Sequence, residues 1–361
     1  MYTANYSFVI VICFIKVIFC DSCDNISVPV YVNRISEKIE GCINKDSFPN
    51  KIVNSIDIDC ESASIQILPA NFVADLNRLN ELLIQGCSLK TIQPGAFFNL
   101  PKITDMDFSV NELRNIQAGV FSLIPAIKYM NLSRNFIVFV EDDAFSHLPN
   151  LEDLDLSFNR LKTLSKSWFT NTLRIEEFYV NNNEISAIPE NMFAGWQQIR
   201  LINFNYNQLV NISDKVFSGT IESITFHHNL LTSINIEAFS EDISIDQFDI
   251  SNNYISNLSP MLFDRITVKN FQMYGNPMEC TCLYKIEQTL QKKGVNVEVP
   301  KLSNSDRNCQ NVDVSVPMCG VSLKNEFCNA TADDNGVISG VTKYLRELGF
   351  RDLRDWYEKC I

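Results

Sequence analysis

Apolar residues recur along the middle of this chain with a period too long for a helix turn or a strand. Units open at Leu79, Ile103, Ile127, Leu151, Ile175, Ile199, Ile221 and Ile245, spaced by 24 residues except for one unit of 22. Each has the form LxxLxLxxNxLxxIxxxxF. The ninth position holds Cys87, Asn111, Asn135, Asn159, Asn183, Asn207, Asn229 and Asn253, and the nineteenth holds Phe97, Phe121, Phe145, Phe169, Phe193, Phe217, Phe239 and Phe263. Within each unit the LxL core alternates apolar and polar side chains, which predicts a short strand with one face inward. Stacked coils then place these strands side by side in a parallel sheet. The Asn turns the chain out of the strand, and its amide can bond backbone groups of its own and the neighbouring coil. The apolar residue at the fourteenth position and the Phe at the nineteenth fill the space behind the strand, so that successive rings stack. At roughly 2 kcal/mol per buried side chain before chain entropy, a coil is stable only beside its neighbours.

The unit resembles the extracellular, 24-residue type of leucine-rich repeat. The resemblance implies an α/β solenoid: a horseshoe with a parallel β-sheet on the concave face, an irregular convex side, and disulfide-bonded N- and C-terminal caps. Val53 to Phe72 reads as a degenerate first coil with Ile56, Ile58, Ile67 and Phe72 inward, and Val268, Phe271, Met273 and Asn276 begin a last one. The following NPMECTCLYKI is similar to the cysteine-bearing C-terminal cap of secreted repeat proteins and Toll-type ectodomains. The chain therefore divides into 1–20, a signal peptide; 21–78, the N-terminal cap and first coil; 79–267, eight repeats; 268–328, the last coil and C-terminal cap; and 329–361, a tail.

Export is read from the apolar run at residues 8–19, too short to span a membrane well and followed at once by polar residues. The charged tail lacks the hydrophobic end of a glycolipid-anchor signal, so the expectation is a secreted, extracellular chain without a membrane span once processed. The cysteines agree. Beyond the leader, Cys23, Cys42, Cys60 and Cys87 lie near one end, while Cys280, Cys282, Cys309, Cys319, Cys328 and Cys360 lie near the other. Cys60 and Cys87 occupy nearly equivalent places of adjoining coils, so a link between them fits, leaving Cys23 with Cys42; a free buried thiol at Cys87 is the competing reading. Family resemblance implies Cys280 with Cys309, and Cys282 with Cys319 or Cys328. Sequons at Asn25, Asn131, Asn211 and Asn329 are candidate glycosylation sites, with Asn257 disfavoured by the proline after its triplet.

Charge narrows the partner. Thirty Lys and Arg against forty-three Asp and Glu give -13, which opposes a nucleic-acid partner. With three His and no nucleophile placed beside a base, an enzyme is not expected, nor a cofactor or metal. His227 and His228 are adjacent and make a poor chelate, and Cys280 with Cys282 lack a second ligand pair. Outward strand residues would line the concave face. The ligand-binding candidates there are Asp105, Asp107, Asp153, Asp155 and Glu177, an acidic crowd that favours a basic partner, together with Tyr129, Phe158, Tyr179 and Tyr206, exposed aromatics of the kind that anchor interfaces. A glycan at Asn131 would project from that same face.

The whole chain also resembles insect leucine-rich immune proteins, which usually continue into a coiled coil. Here residues 340–360 show apolar residues at helical spacing but no sustained heptad, so no oligomeric state follows. The resemblance implies a recognition protein binding a protein or microbial surface component, in innate immunity. An extracellular matrix or adhesion component forming disulfide-linked assemblies is the alternative.

Overall fold

The computed structural model describes Cys23, residues 27–58, Cys60, and residues 64–196, 198–278 and 280–298. The signal-peptide and tail readings, the sequons at Asn25 and Asn329, and Cys309, Cys319, Cys328 and Cys360 lie outside them. The chain divides into two units, one running to Glu184 with Gly195–Ile199, the other comprising Ile185–Ala194 and the chain from Arg200, and each is built of stacked coils.

In the first unit, strands Glu81–Leu83, Asp105–Asp107, Tyr129–Asn131, Asp153–Asp155 and Glu177–Tyr179 pair in parallel without slippage. Met106 lies opposite Leu82 and Met130, and Leu154 opposite Met130 and Phe178. These central residues are buried, as the period-two alternation requires. Behind them Phe97, Phe121, Phe145 and Phe169 stack at centroid spacings of 6.1, 5.9 and 5.8 Å. Trp196 meets Phe169 and Phe178 edge-on, which the repeat pattern does not foretell.

The asparagines act as expected. Asn135 Nδ2 donates to the carbonyls of Leu132 and Ser133 on its own coil and of Phe108 on the preceding one, while its Oδ1 accepts from Leu113 N. Asn111, Asn159 and Asn183 repeat the scheme. Buried backbone groups at the turn are thereby paired.

At the front, the disulfides Cys23–Cys42 and Cys60–Cys87 have Cα separations of 5.2 and 5.0 Å, so Cys87 is not a free thiol. The first coil needs one correction. Ile56, Ile58 and Phe72 point inward, but Ile67 is exposed and Leu68 is buried in its place. Leu68 pairs with Ile92, the fourteenth position of the next coil, whereas Ile56 pairs with Leu82, so the irregular stretch around Cys60 holds two residues more than the same stretch of the next coil. The cap also contains a hairpin that the repeat pattern does not show. Ser27–Val32 pairs antiparallel with Ile35–Glu40 and, on its other side, with Ser55–Ile58. Its two-residue turn, Asn33-Arg34, has φ of 48° and 69°, as a turn of the mirror-image type demands. The Asn33 side chain ties the turn down by accepting from the N–H groups of Asn54 and Ser55.

The second unit contains the strand Ile199–Asn203 from Arg200 onward, and strands Thr220–Thr225, Ile243–Asp249, Ile266–Gln272 and Asn296–Glu298. The last four pair in parallel in that order. Phe193, Phe217 and Phe239 stack at 5.6 and 5.4 Å. Asn276 extends the asparagine ladder into the last coil, donating to Ile250 O and Met273 O. A helix over Cys280–Lys292 follows, with Ile286 and Leu290 buried. The side chains of Cys280 and Cys282 lie outside the described residues.

The eighth position of the eight repeats and of the last coil is left-handed. Val110, Arg134, Phe158, Asn182, Tyr206, His228 and Asn252 have φ between 51° and 58°, and Gly86 and Gly275 have 63° and 69°. This geometry turns the chain out of the strand while its N–H still reaches the next coil, as from Val110 to Ser133 O at 3.1 Å. Gly275 is further constrained: a Cβ there would stand 2.1 Å from Asn252 Oδ1. Glycine and asparagine suit the position, whereas branched valine is strained in it by about 1–2 kcal/mol. Val110→Asn should therefore raise the melting temperature by a few degrees, about 1 kcal/mol of relief. A lower melting temperature in calorimetry would show that no such strain exists.

Candidate interaction surface

The strand face of the first unit is built by the third and fifth positions of its coils. Register places Asp105, Tyr129, Asp153 and Glu177 in one row, and Asp107, Asn131, Asp155 and Tyr179 in the next. Along each row the acidic residues are interrupted. Tyr129 separates Asp105 from Asp153, and Asn131 separates Asp107 from Asp155, which puts those like charges two strands, about 10 Å, apart. Asp153 and Glu177 are the directly opposed pair.

The fifth-position carboxylates also have a structural task that spacing alone does not reveal. Asp107 Oδ1 accepts from Ser109 N at 2.7 Å and Asp155 Oδ1 from Ser157 N at 2.7 Å, each closing a local turn two residues on. Asn131 does the same to Ser133 N, and Asn203 and Asp249 do so in the second unit. A recurring Asp or Asn three residues before the left-handed eighth position is the signal that could have exposed this role. Burial raises the Asp155 pKa above the ordinary carboxylate value, reinforced by Asp107 and opposed by hydrogen bonds from Ser157 and by the charge of Arg134.

Of the aromatics on this unit, Tyr129 is exposed and its hydroxyl lies 3.5 Å from Glu152 Oε2. Tyr179, expected to be fully solvent-facing, is half-buried, its hydroxyl donating to Glu177. Its pKa is raised by burial and then by Asp153 and Asp155. Phe158 is exposed, but it stands on the turn after the strand, with the Arg134 guanidinium 4.4 Å from its ring centroid. Bordering the face, Lys128 and Arg174 converge on Glu152 at 2.9 and 3.7 Å. Nδ2 of Asn131, the atom that would carry a glycan, donates to Asp107 Oδ2 at 3.0 Å on the half-buried strand, whereas Asn211 is exposed.

In the second unit, Tyr206 likewise occupies the turn rather than the strand. It stacks on His228 with centroids 4.6 Å apart and meets His227 edge-on. His227 Nδ1 lies 2.6 Å from Ser251 Oγ, which also donates to Asp249. Burial and the neighbouring His227 lower the His228 pKa, with Asp249 acting in the opposite sense. Because the chain is turning, the two imidazoles lie side by side, yet among the described residues no three His, Cys, Asp or Glu form a metal-holding group.

Repeating coils with an asparagine ladder, a phenylalanine stack and an open strand face define a class. Models of the leucine-rich repeat match residues 77–137 and 125–175, and a BspA-type leucine-rich repeat region of six copies matches 162–281. Together they span more than half of the chain, which belongs to the leucine-rich repeat proteins. Among curated proteins it is similar to an NT-3 growth factor receptor of Gallus gallus, 26% identical over 96 residues, 27% of this chain and 11% of that receptor. Among solved structures it is similar to chains of the Toll–Spatzle complex, described as a molecular hub in Drosophila development and innate immunity. One such chain gives a TM-score of 0.51 at 22% identity, covering 60% of this chain and 29% of the other. In the glycosylated form the TM-score is 0.56 at 16% identity, covering 71% and 39%. The chain thus spans a small part of each relative, and the solved structures bear on its fold alone. Among the described residues, no helix is long and apolar enough to cross a membrane.

Proposed function

We propose that this chain is a secreted, non-catalytic recognition protein of innate immunity that binds a basic protein through the strand face of its first unit. The observation that carries this reading is the row Asp105, Tyr129, Asp153 and Glu177: an exposed aromatic anchor flanked by carboxylates in register, with no Lys or Arg at the third or fifth position of these coils. A rigid sheet presents these groups with little side-chain ordering left to lose on binding, and their field speeds encounter with a cationic surface. The relatives support a protein ligand, one being a growth factor receptor and others chains of a complex of Toll with Spatzle. The flanking disulfides fit an oxidising, extracellular setting.

Capture from extracellular fluid by the purified chain, followed by binding measured against ionic strength, tests the reading. A basic protein should be retained and released by salt, and Asp105→Asn with Asp153→Asn should weaken it about tenfold while the melting curve is kept. Equal capture by the double variant, or selective capture of a microbial glycan instead, would refute it.

A further inference from the structure

A second constellation stands on the turns that follow the first unit's strands. Arg134 and Phe158 hold the eighth position of the coils opened by Ile127 and Leu151, and Phe136 and Arg160 hold the tenth. Arg134 Cζ lies 4.4 Å from the Phe158 ring centroid and Arg160 Cζ 4.6 Å from that of Phe136. Each coil thus contributes one cation and one ring, and the two stacked pairs run in opposite senses between the same two coils. Between them sit Asn135 and Asn159, buried and fully bonded, which hold the backbone of both turns in place.

Fold requirements do not account for this choice of residues. The eighth position is left-handed, and Gly86 and Asn182 show which residues suit it at no cost. Val110 and Phe158 instead occupy it at φ of 58° and 54° while remaining 54% and 41% exposed, so the strain brings no compensating burial. Phe136 is 38% exposed. An outlier of backbone conformation combined with exposed apolar surface points to a use outside the fold.

The cations indicate what that use is. Lys90, Lys128, Lys162 and Arg174 on the same unit are each paired with a glutamate. Among the described residues, Arg134 and Arg160 form no ion pair, as is also true of Arg78, Lys102, Arg114 and Lys166; what sets the two apart is that each lies over a ring, and Arg134 is within the electrostatic reach of Asp155. A guanidinium lying over a ring keeps its in-plane N–H donors for a carboxylate, and stacking has already restricted its side chain. The exposed rings and valine around the cations suit a ligand that brings apolar side chains, which a sulfated glycan lacks. Two cations on a chain of net charge -13 are too few to hold a membrane surface.

We propose that Arg134, Phe136, Phe158 and Arg160, together with Val110, form a second interaction surface that takes an acidic segment of a partner protein. Its carboxylates pair with the two guanidiniums and its apolar side chains cover the rings. This surface is distinct in charge from the acidic strand face and does not depend on it.

Fluorescence anisotropy with three labelled probes tests the assignment: a short peptide rich in Glu and Leu, its counterpart with Lys for every Glu, and a heparin oligosaccharide. The Glu peptide should bind, and Arg134→Gln with Arg160→Gln should weaken it about tenfold with the melting temperature unchanged. Phe158→Asn should weaken it too without lowering the melting temperature, a combination that a purely structural ring would not produce. Asp105→Asn with Asp153→Asn should leave it intact, which separates failure here from failure of the strand-face reading. No binding of the Glu peptide, equal binding of its Lys counterpart, preference for the oligosaccharide, or full affinity in the arginine double variant would each overturn the proposal.

Discussion

Leu154→Asp is expected to yield no folded protein. Leu154 is fully buried at the centre of Asp153–Asp155, in register with Met130 and Phe178 on the neighbouring coils. Removing the leucine side chain alone costs about 3–5 kcal/mol in a packed core. The carboxylate that replaces it has no partner there and adds several kcal/mol of desolvation. The sum is comparable with the whole stability of a domain, about 5–15 kcal/mol. In a solenoid each coil is stabilised by its neighbours, so a central failure removes support from both sides. The change should abolish the cooperative thermal transition seen by circular dichroism. Asp153→Asn, one residue away on the open face, should leave it. A normal transition in the Leu154 variant would contradict the inward orientation of the strand centres.

Asn159→Ala should cost about 2–4 kcal/mol, lowering the melting temperature by roughly 5–12 °C. Its amide donates to Leu132 O, Leu156 O and Ser157 O at 3.0, 3.0 and 3.2 Å and accepts from Ile137 N at 2.9 Å. The three carbonyls have second donors: Leu132 O keeps Asn135, Leu156 O keeps Asn183, and Ser157 O keeps Arg134 N. Ile137 N–H loses the partner seen here, and the vacated volume adds a cavity. The predicted cost therefore comes from one orphaned donor and lost packing rather than from four independent bonds. A shift below about a degree would mean that the turn finds another partner.

Much of the architecture is legible in the residues. The 24-residue period, the asparagine and phenylalanine ladders and the Cys60–Cys87 link are local or regularly repeated, so each copy corroborates the others. Where repetition stops, reading fails. The shift from Ile67 to Leu68 lies beside an irregular cysteine-bearing stretch, and the hairpin around Asn33 belongs to no repeat. Within the candidate site, the third-position acids and Tyr129 were legible as outward strand residues. The turn-closing bonds of Asp107 and Asp155 were not, because an acidic residue on an open strand looks alike whether its carboxylate faces solvent or the backbone two residues on.

The amino-acid order by itself determines the coil, its inward side chains and the acidic composition of its strand face, since hydrophobic periodicity selects one packing period and one inner side. Tertiary structure alone decides which outward groups become neighbours. Tyr129 comes to separate Asp105 from Asp153, and Arg134 and Arg160 come to lie on rings that stand 24 residues away along the chain. Those contacts depend on how one coil registers on the next, a relation that exists only when the coils are stacked.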